Sequence, residues 1–403
     1  MTSSHTYASR PALPAIANIF LKVLGNIRSG HLTLITPQGE SLLFGDAHHG
    51  PTATLQIHDW QACRRILLAG DIGFAESLSR GWLDSPDLTA LLTLALRNES
   101  AMPQTVTGSW LARLWYALQH RLRRNSRAGS RRNIPAHYDL GNDFYRLWLD
   151  PSWTYSSAVF AGNHQQSLEQ AQQAKYQRII DQLGLRAGMR VLEVGCGWGG
   201  FAEYAGRLGI AVEGITLSPA QLQFAQARIE QAGLTALVQL RLQDYRDVAG
   251  EFDAIVSIEM FEAVGEQYWP GYFKMLQQRL TPGGKALVQS ITIDEQRFAA
   301  YRASSDFIRE YIFPGGMLPS KERFVAGAQA RDLHTLDQYA FGRDYAETLR
   351  RWRADFELQL DSVRQQGFDE AFIRTWRLYY AYCEAGFDEG RTDVVQFTLQ
   401  RAR

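Results

Sequence analysis

The 403-residue sequence predicts an α/β protein: a largely parallel sheet with helices on both faces, preceded by a small α+β unit. Three observations predict it. From Arg190 onward, apolar strand-like runs alternate with helical periodicities, the pattern of a parallel sheet. The first run, Arg190-Val-Leu-Glu-Val194, breaks at Gly195, Gly197, Gly199 and Gly200 before Phe201-Ala-Glu-Tyr204 begins a helix. The C-terminal third, from near Phe341 to Phe387, is helical and aromatic, which suits a lid over the sheet more than a separate domain.

The elements follow in order. Residues 1–105 carry short strands at His31–Ile35, Ser41–Phe44 and Ala53–His58, the first two separated by a Pro37-Gln-Gly39 turn. Two helices follow, near Trp60–Leu68 and Asp87–Leu96, with Ser85-Pro-Asp87 supplying the cap and early proline of a helix start. This unit reads as an accessory domain, with a dedicated lipid-binding module as the competing reading. Residues 106–135 form a connector, and no acidic residue lies between Glu99 and Asp139. Arg113, Arg121, Arg123, Arg124, Arg127, Arg131 and Arg132 sit beside Trp110, Leu111, Leu114, Trp115, Leu118 and Leu122 at helical spacing. Such a stripe lies in an anionic membrane interface, or packs on the protein with its arginines solvated. Residues 136–403 carry the α/β domain, with further strands at Ala211–Leu217, Ala236–Leu242, Phe252–Ile258 and Gly284–Thr292.

Composition narrows the function. Forty-two basic residues balance 42 acidic ones, so no net field draws the chain to nucleic acid. Cys63, Cys196 and Cys383 are odd in number and far apart, which argues against a disulfide framework or a metal site and fits a reducing cytoplasm. The N-terminus lacks a secretory pattern, and no apolar run reaches the ~18 residues of a membrane span.

Ligands of such sheets bind beyond the carboxyl ends of the strands. The glycine turn there is Gly-x-Gly-x-Gly, not the dinucleotide Gly-x-Gly-x-x-Gly. It resembles the first motif of S-adenosylmethionine (SAM) methyltransferases, so Gly195, Gly197 and Gly199, with Glu193 just before them, are expected to cradle SAM. The second strand ends in Thr216-Leu-Ser218-Pro219 with Gln221 next, placing hydroxyl and amide groups where many nucleotide folds carry a ribose-binding acid. Ser218 before Pro219 is also a good helix start. After the third strand, Asp244 offers an acceptor for the adenine amine and Tyr245 a ring to stack on it.

Five ordered segments go beyond a generic methyltransferase: Ala136–Tyr145, Thr154–Phe160, Ile258–Gly265, Tyr311–Ser320 and Tyr379–Phe387. Together they resemble the cyclopropane-fatty-acyl-phospholipid synthase family, which includes the mycolic acid methyltransferases and the plant cyclopropane synthases. The first unit, with Gly70-Asp-Ile-Gly-Phe-Ala-Glu-Ser77 and Trp82, is similar to the amino-terminal domain of the bacterial members.

The resemblance implies a Rossmann-like methyltransferase domain on a mixed seven-stranded sheet. It also implies a homodimer, peripheral on the inner face of the cytoplasmic membrane and acting on unsaturated acyl chains of its phospholipids. A cis double bond attacks the SAM methyl and leaves a carbocation, and proton loss then closes a cyclopropane. The protein must stabilise the cation, exclude water and supply a base. The alternative outcome lacks ring closure and gives methylene, methyl-branched or methyl-unsaturated chains. Family members are thought to use a bound bicarbonate as the base. By match to the family, Glu262, Tyr345 and the backbone of Ile291 would hold it, and Tyr155 and Ser156 would contact SAM. Two positions depart: Ser157 stands where the bacterial enzymes carry cysteine, and Gln289 where they carry histidine. Both can still donate hydrogen bonds to an anion. Cys383 matches a late family cysteine and reads equally as a packing residue. Phe307, Tyr311, Phe313, Trp376, Tyr379 and Tyr380 suit an acyl tunnel, or plain core.

Overall fold

The computed structural model describes residues 13–101 and 140–402, so the basic connector at 106–135 lies outside the described residues. The chain divides into two units, Met1–Ala112 and Arg113–Arg403.

In the first unit, β1 (His31–Ile35), β2 (Ser41–Gly45), β3 (Thr52–Ile57) and β4 (Leu83–Asp84) form a sheet ordered β2-β1-β3-β4. β1 pairs antiparallel with β2 and parallel with β3. Strand alternation turns Leu32 and Leu34 of β1, and Ala53, Leu55 and Ile57 of β3, to the buried side. The unit has three helices among the described residues: α1 (Ala15–Leu24), α2 (Gln61–Ser79) and α3 (Leu88–Arg97). The sequence reading omitted α1, although Ala17, Phe20, Val23 and Leu24 recur at helical spacing and are buried. It also ended α2 too early. The helix continues beyond a break at Gly70 (φ 58°, ψ −130°), a backbone conformation open to glycine. Asp87 caps α3, accepting from the Ala90 N–H at 2.9 Å, while the Ser85 hydroxyl donates to the Thr54 carbonyl.

The second unit is built on seven strands: β5 (Arg190–Val194), β6 (Ala211–Thr216), β7 (Val238–Leu242), β8 (Phe252–Ile258), β9 (Leu280–Ile293), β10 (Leu333–Ala340) and β11 (Thr392–Arg401). Their order is β10-β11-β9-β8-β5-β6-β7. The pairs from β9 to β7 are parallel, whereas β11 runs antiparallel to both β9 and β10. The sheet is thus the mixed seven-stranded one expected. Helices α4 (Asn142–Arg146), α5 (Leu168–Leu183), α6 (Gly200–Arg207), α7 (Pro219–Gln231), α8 (Trp269–Arg279), α9 (Glu295–Ala303) and α10 (Lys321–Gln329) complete the layers. One apolar core packs Phe261, Tyr272, Phe273, Phe324 and Phe397. A second packs Ile179, Phe201, Ala225, Ile229 and Val238.

Two features of this topology position the site. The chain moves outward from β5 to β6 and β7, then returns to β8 on the other side of β5, so β5 and β8 flank the switch point where ligands of open α/β sheets bind. Between β10 and β11 the chain inserts the lid helices α11 (Gly342–Leu358), α12 (Leu360–Gln365) and α13 (Glu370–Asp388). α11 is stitched to the loop before α5: Asp344 Oδ2 accepts from the Phe160 and Ala161 N–H groups at 2.8 and 3.1 Å, and Thr348 Oγ1 accepts from Ala158 N–H at 3.1 Å.

Candidate active site

The glycine turn leaves β5 with Gly195, Gly197 and Gly199 at φ of 87°, 52° and 82°, all in the left-handed region. Gly195 and Cys196 donate their N–H groups to the Ile215 carbonyl, which pins the turn against β6. A Cβ on Gly195 would stand 3.0 Å from Met260, and one on Gly199 3.1 Å from Ala225. A Cβ on Gly197 would meet nothing within 4 Å, so this glycine faces open space where a ligand can approach. Glu193 precedes the turn, 3 % exposed, with Oε2 buried and without a hydrogen-bond partner among the described residues. Burial pushes its carboxyl well above the usual range. An open glycine cradle beside an orphaned buried carboxylate oxygen fits a ligand with a cationic amino-acid end, as SAM has.

The other expected cofactor residues lie on neighbouring strand ends. Ser218 caps α7 through the Gln221 N–H at 3.3 Å with Pro219 in the first turn, and the Thr216 hydroxyl donates to Gln221 Oε1 at 3.2 Å. Their local roles are therefore those of a helix start. Asp244 is already engaged within the chain. Its carboxylate binds the Arg246 guanidinium through both oxygens, at 2.8 and 2.6 Å, besides accepting from the Arg246 N–H. Tyr245 packs edge-on against Tyr272 with ring centroids 5.6 Å apart.

Beyond β8 lies a carboxylate that sequence reading missed. Glu259 sits at φ 49°, a left-handed conformation costly for a residue with a Cβ. Its Oε1 accepts from the Ser157 backbone N–H at 2.9 Å and from Gln289 Nε2 at 2.8 Å. Its Oε2 accepts from the Tyr345 hydroxyl at 2.6 Å. Ser157 was expected to offer its hydroxyl. That group instead donates to the Ala158 carbonyl, and the backbone amide faces the site. Gln289 is oriented from behind: its Oε1 accepts from Gln396 Nε2 at 3.0 Å, and Gln396 Oε1 accepts from Arg178 at 2.9 Å. Gln289 and Gln396 are cross-strand partners in the β9–β11 pair, a register that no local pattern announces.

Glu262 and Ile291 form a second set. Glu262 Oε1 accepts from the Ile291 N–H at 2.5 Å and from the Ser290 hydroxyl at 3.1 Å, while Oε2 is buried without a partner among the described residues. Burial, reinforced by the charge of Glu259, pushes the Glu262 carboxyl up to about 8. Burial also raises Glu259, opposed first by the charge of Lys175 and then by its three donors. Lys175, fully buried on α5, was not anticipated. Its ammonium donates to Ser156 Oγ, and burial pulls it down to about 7 against the charges of Glu259, Asp150 and Glu193. A lysine inside a Gln- and Ala-rich helix reads as a surface residue, so its sequence context gave no cue.

Aromatic rings wall the same region. Tyr155 lies 5.4 Å from Trp148, 5.3 Å from Trp352 and 5.5 Å from Tyr145, and shares a 2.8 Å hydrogen bond with the Tyr379 hydroxyl. Tyr345 meets Trp352 at 6.2 Å and Phe387 at 4.5 Å, so the ring cluster runs up to the Glu259 carboxylate. Of the expected tunnel aromatics, Phe307, Trp376, Tyr379 and Tyr380 are buried, Phe313 lies 6.5 Å from Tyr155, and Tyr311 is 48 % exposed. Cys383 is partly buried, and burial pushes its thiol up.

The family model for mycolic acid cyclopropane synthetase matches residues 125–397. The chain is 40% identical to tuberculostearic acid methyltransferase UfaA1 of Mycobacterium tuberculosis, over 97% of this chain and 92% of that protein. It is 34% identical to the cyclopropane-fatty-acyl-phospholipid synthase of Escherichia coli, over 87% of this chain and 88% of that one. The crystal structure of mycolic acid cyclopropane synthase CmaA1 with S-adenosylhomocysteine (SAH) and CTAB superposes with a TM-score of 0.62 at 31% identity, covering 67% of this chain and 97% of that chain. A match over residues 125–397 and 40% identity across nearly the whole chain show the family: the chain belongs to the mycolic acid cyclopropane synthetase family of SAM-dependent methyltransferases.

Proposed function

We propose that the protein methylates the cis double bond of unsaturated acyl chains in membrane phospholipids, forming cyclopropane fatty acids. The observation that carries this reading is the carboxylate of Glu259 held by three donors at the end of a buried aromatic cluster. An alkene is a weak nucleophile that needs no deprotonation before attack. What its reaction needs is a dry site, π faces toward a developing cation and a proton acceptor afterwards.

SAM supplies the electrophilic methyl: the alkene's π pair forms the new C–C bond while the C–S pair leaves on sulfur. Gly195, Gly197 and Gly199 would hold the amino-acid end of SAM, and Glu193 would offer its carboxylate to the ammonium. Tyr155, Trp148 and Trp352 exclude water and present ring faces. Glu262 holds the Ile291 N–H and the wall beside it. The protein would reach its substrate as a peripheral membrane enzyme and a homodimer. No helix among the described residues is long and apolar enough to cross a membrane.

A second reading keeps the transfer and omits ring closure, giving methylene or methyl-branched chains. The 40% identity to a protein named tuberculostearic acid methyltransferase favours it. Lipid mass spectrometry of an expressing host separates the outcomes. Ring and methylene chains both gain one CH2, a reduced methyl branch carries two further hydrogens, and ozonolysis cleaves the alkene but not the ring. Unchanged acyl chains in cells holding folded, SAM-binding protein would overturn both readings.

A further inference from the structure

Bicarbonate, which the family resemblance implies as the base, does not fit the residues present. A small anion needs donors that converge and are free to receive it. Three of the groups expected to supply them, at Ser157, Gln289 and Tyr345, do converge, but on a carboxylate of the chain itself. We infer that Glu259 takes the place of an external anion in this protein and is itself the base that removes the proton from the transferred methyl group. The inference rests on the methyl-transfer reading and deepens it.

Three features carry it. A carboxylate offers about four lone-pair directions. Glu259 has two filled on Oε1 and one on Oε2, so Oε2 keeps one direction for an incoming proton. The fixed donors hold the group in place, and the Gln396–Gln289 pair of amides orients one of them from behind. The backbone adds an independent sign. Glu259 holds φ 49° at the carboxyl end of β8, where glycine would sit without strain, and strained backbone persists where surrounding contacts over-determine it. The side chain that requires this strain is the one that fills the donor cluster.

The step balances. After methyl transfer the acyl chain carries a cation. A C–H bond of the added methyl breaks, its electron pair closes the third ring bond or, once a 1,2-hydride shift has moved the cation onto the methyl-bearing carbon, forms the methylene double bond, and the proton passes to Glu259 Oε2. The neutral acid then returns that proton to solvent.

The test uses the full-length protein in buffer stripped of carbon dioxide, with bicarbonate as the added probe. Wild-type turnover is expected to be equal with and without bicarbonate, and 13C-bicarbonate is expected to show no NMR line broadening on the wild type. Glu259→Gly removes both the strain and the carboxylate and leaves the three donors around a hole. It should lose turnover by about 10²-fold or more, the scale of a general base. It should also bind 13C-bicarbonate and recover on its addition. Glu259→Gln, which fills the hole with an amide, should be as inactive and should not recover. Wild-type turnover that collapses without bicarbonate and returns with it overturns the inference, as does a fully active Glu259→Gln. The binding arm needs no turnover: bicarbonate bound by the wild type overturns the inference even if no lipid product is ever found, whereas absence of product alone counts against the methyl-transfer reading.

Discussion

Two carboxylates three residues apart share one site and differ in what surrounds them. Glu259 has three donors and the Lys175 charge nearby. Glu262 has two donors on one oxygen and none on the other among the described residues, so it is the one burial drives to the neutral form, with a pKa of about 8. A carboxyl raised in the folded state contributes stability that is fully present below the unfolded value of about 4.5 and is lost as pH rises through about 8. Glu262→Gln removes this titration while keeping the shape and the acceptor for Ile291. The variant should therefore gain stability on the wild type as pH rises from 5 to 8, by up to ~1.4 kcal/mol per pH unit. Denaturant unfolding of both proteins across that range checks it. A stability difference that does not change with pH would mean that Glu262 is already ionised at pH 5.

The glycine turn shows how one element divides its residues between fold and ligand. Gly200 begins α6, and a Cβ there would stand 2.6 Å from the Tyr176 hydroxyl and 3.1 Å from the Ser152 carbonyl. A Cβ on Gly197 would meet open space. Gly200→Ala should therefore lower the melting temperature with a smaller effect on SAM affinity. Gly197→Ala carries only the left-handed backbone cost of ~1–2 kcal/mol, yet should weaken SAM binding about tenfold or more, a loss of ~1.4 kcal/mol. Calorimetric titration with SAM beside thermal unfolding reads both, and the reverse pattern would refute this division. This turn was also the most legible element in the sequence, because strand, glycines and helix lie within one local window. Glu262, Tyr345, Gln289 and Ser157 could be named only through family resemblance. The set they form with Glu259 depends on β8, β9, α11 and the loop before α5 meeting at the switch point. No local window contains that meeting, which is why Glu259, Lys175 and Gln396 went unread.

At the scale of the whole molecule the fold was legible where hydrophobic period and local turns decide it, and less so where burial is two-sided. β11 buries Val394 through Thr398 on both faces, so it lacks the alternation that marks a strand. Charge follows the opposite rule, since its total says less than its placement. The 42 basic and 42 acidic residues cancel, so any attraction to a bilayer must be local. The segment between Glu99 and Asp139 concentrates seven arginines without an acid, flanked by Trp110 and Trp115, and it lies outside the described residues. An arginine near an anionic membrane surface contributes ~1 kcal/mol, screened beyond a Debye length of about 8 Å at physiological salt. Replacing Arg123, Arg124, Arg131 and Arg132 with glutamine should thus weaken partitioning onto anionic phospholipid vesicles by on the order of 10³-fold. Raising the salt should weaken wild-type binding in the same direction, and the variant should respond less. SAM affinity and thermal stability serve as controls, since docking charge should leave both unchanged. Vesicle sedimentation across a salt series measures the effect, and wild-type binding that ignores salt would show that the arginines do not draw the enzyme to its substrate.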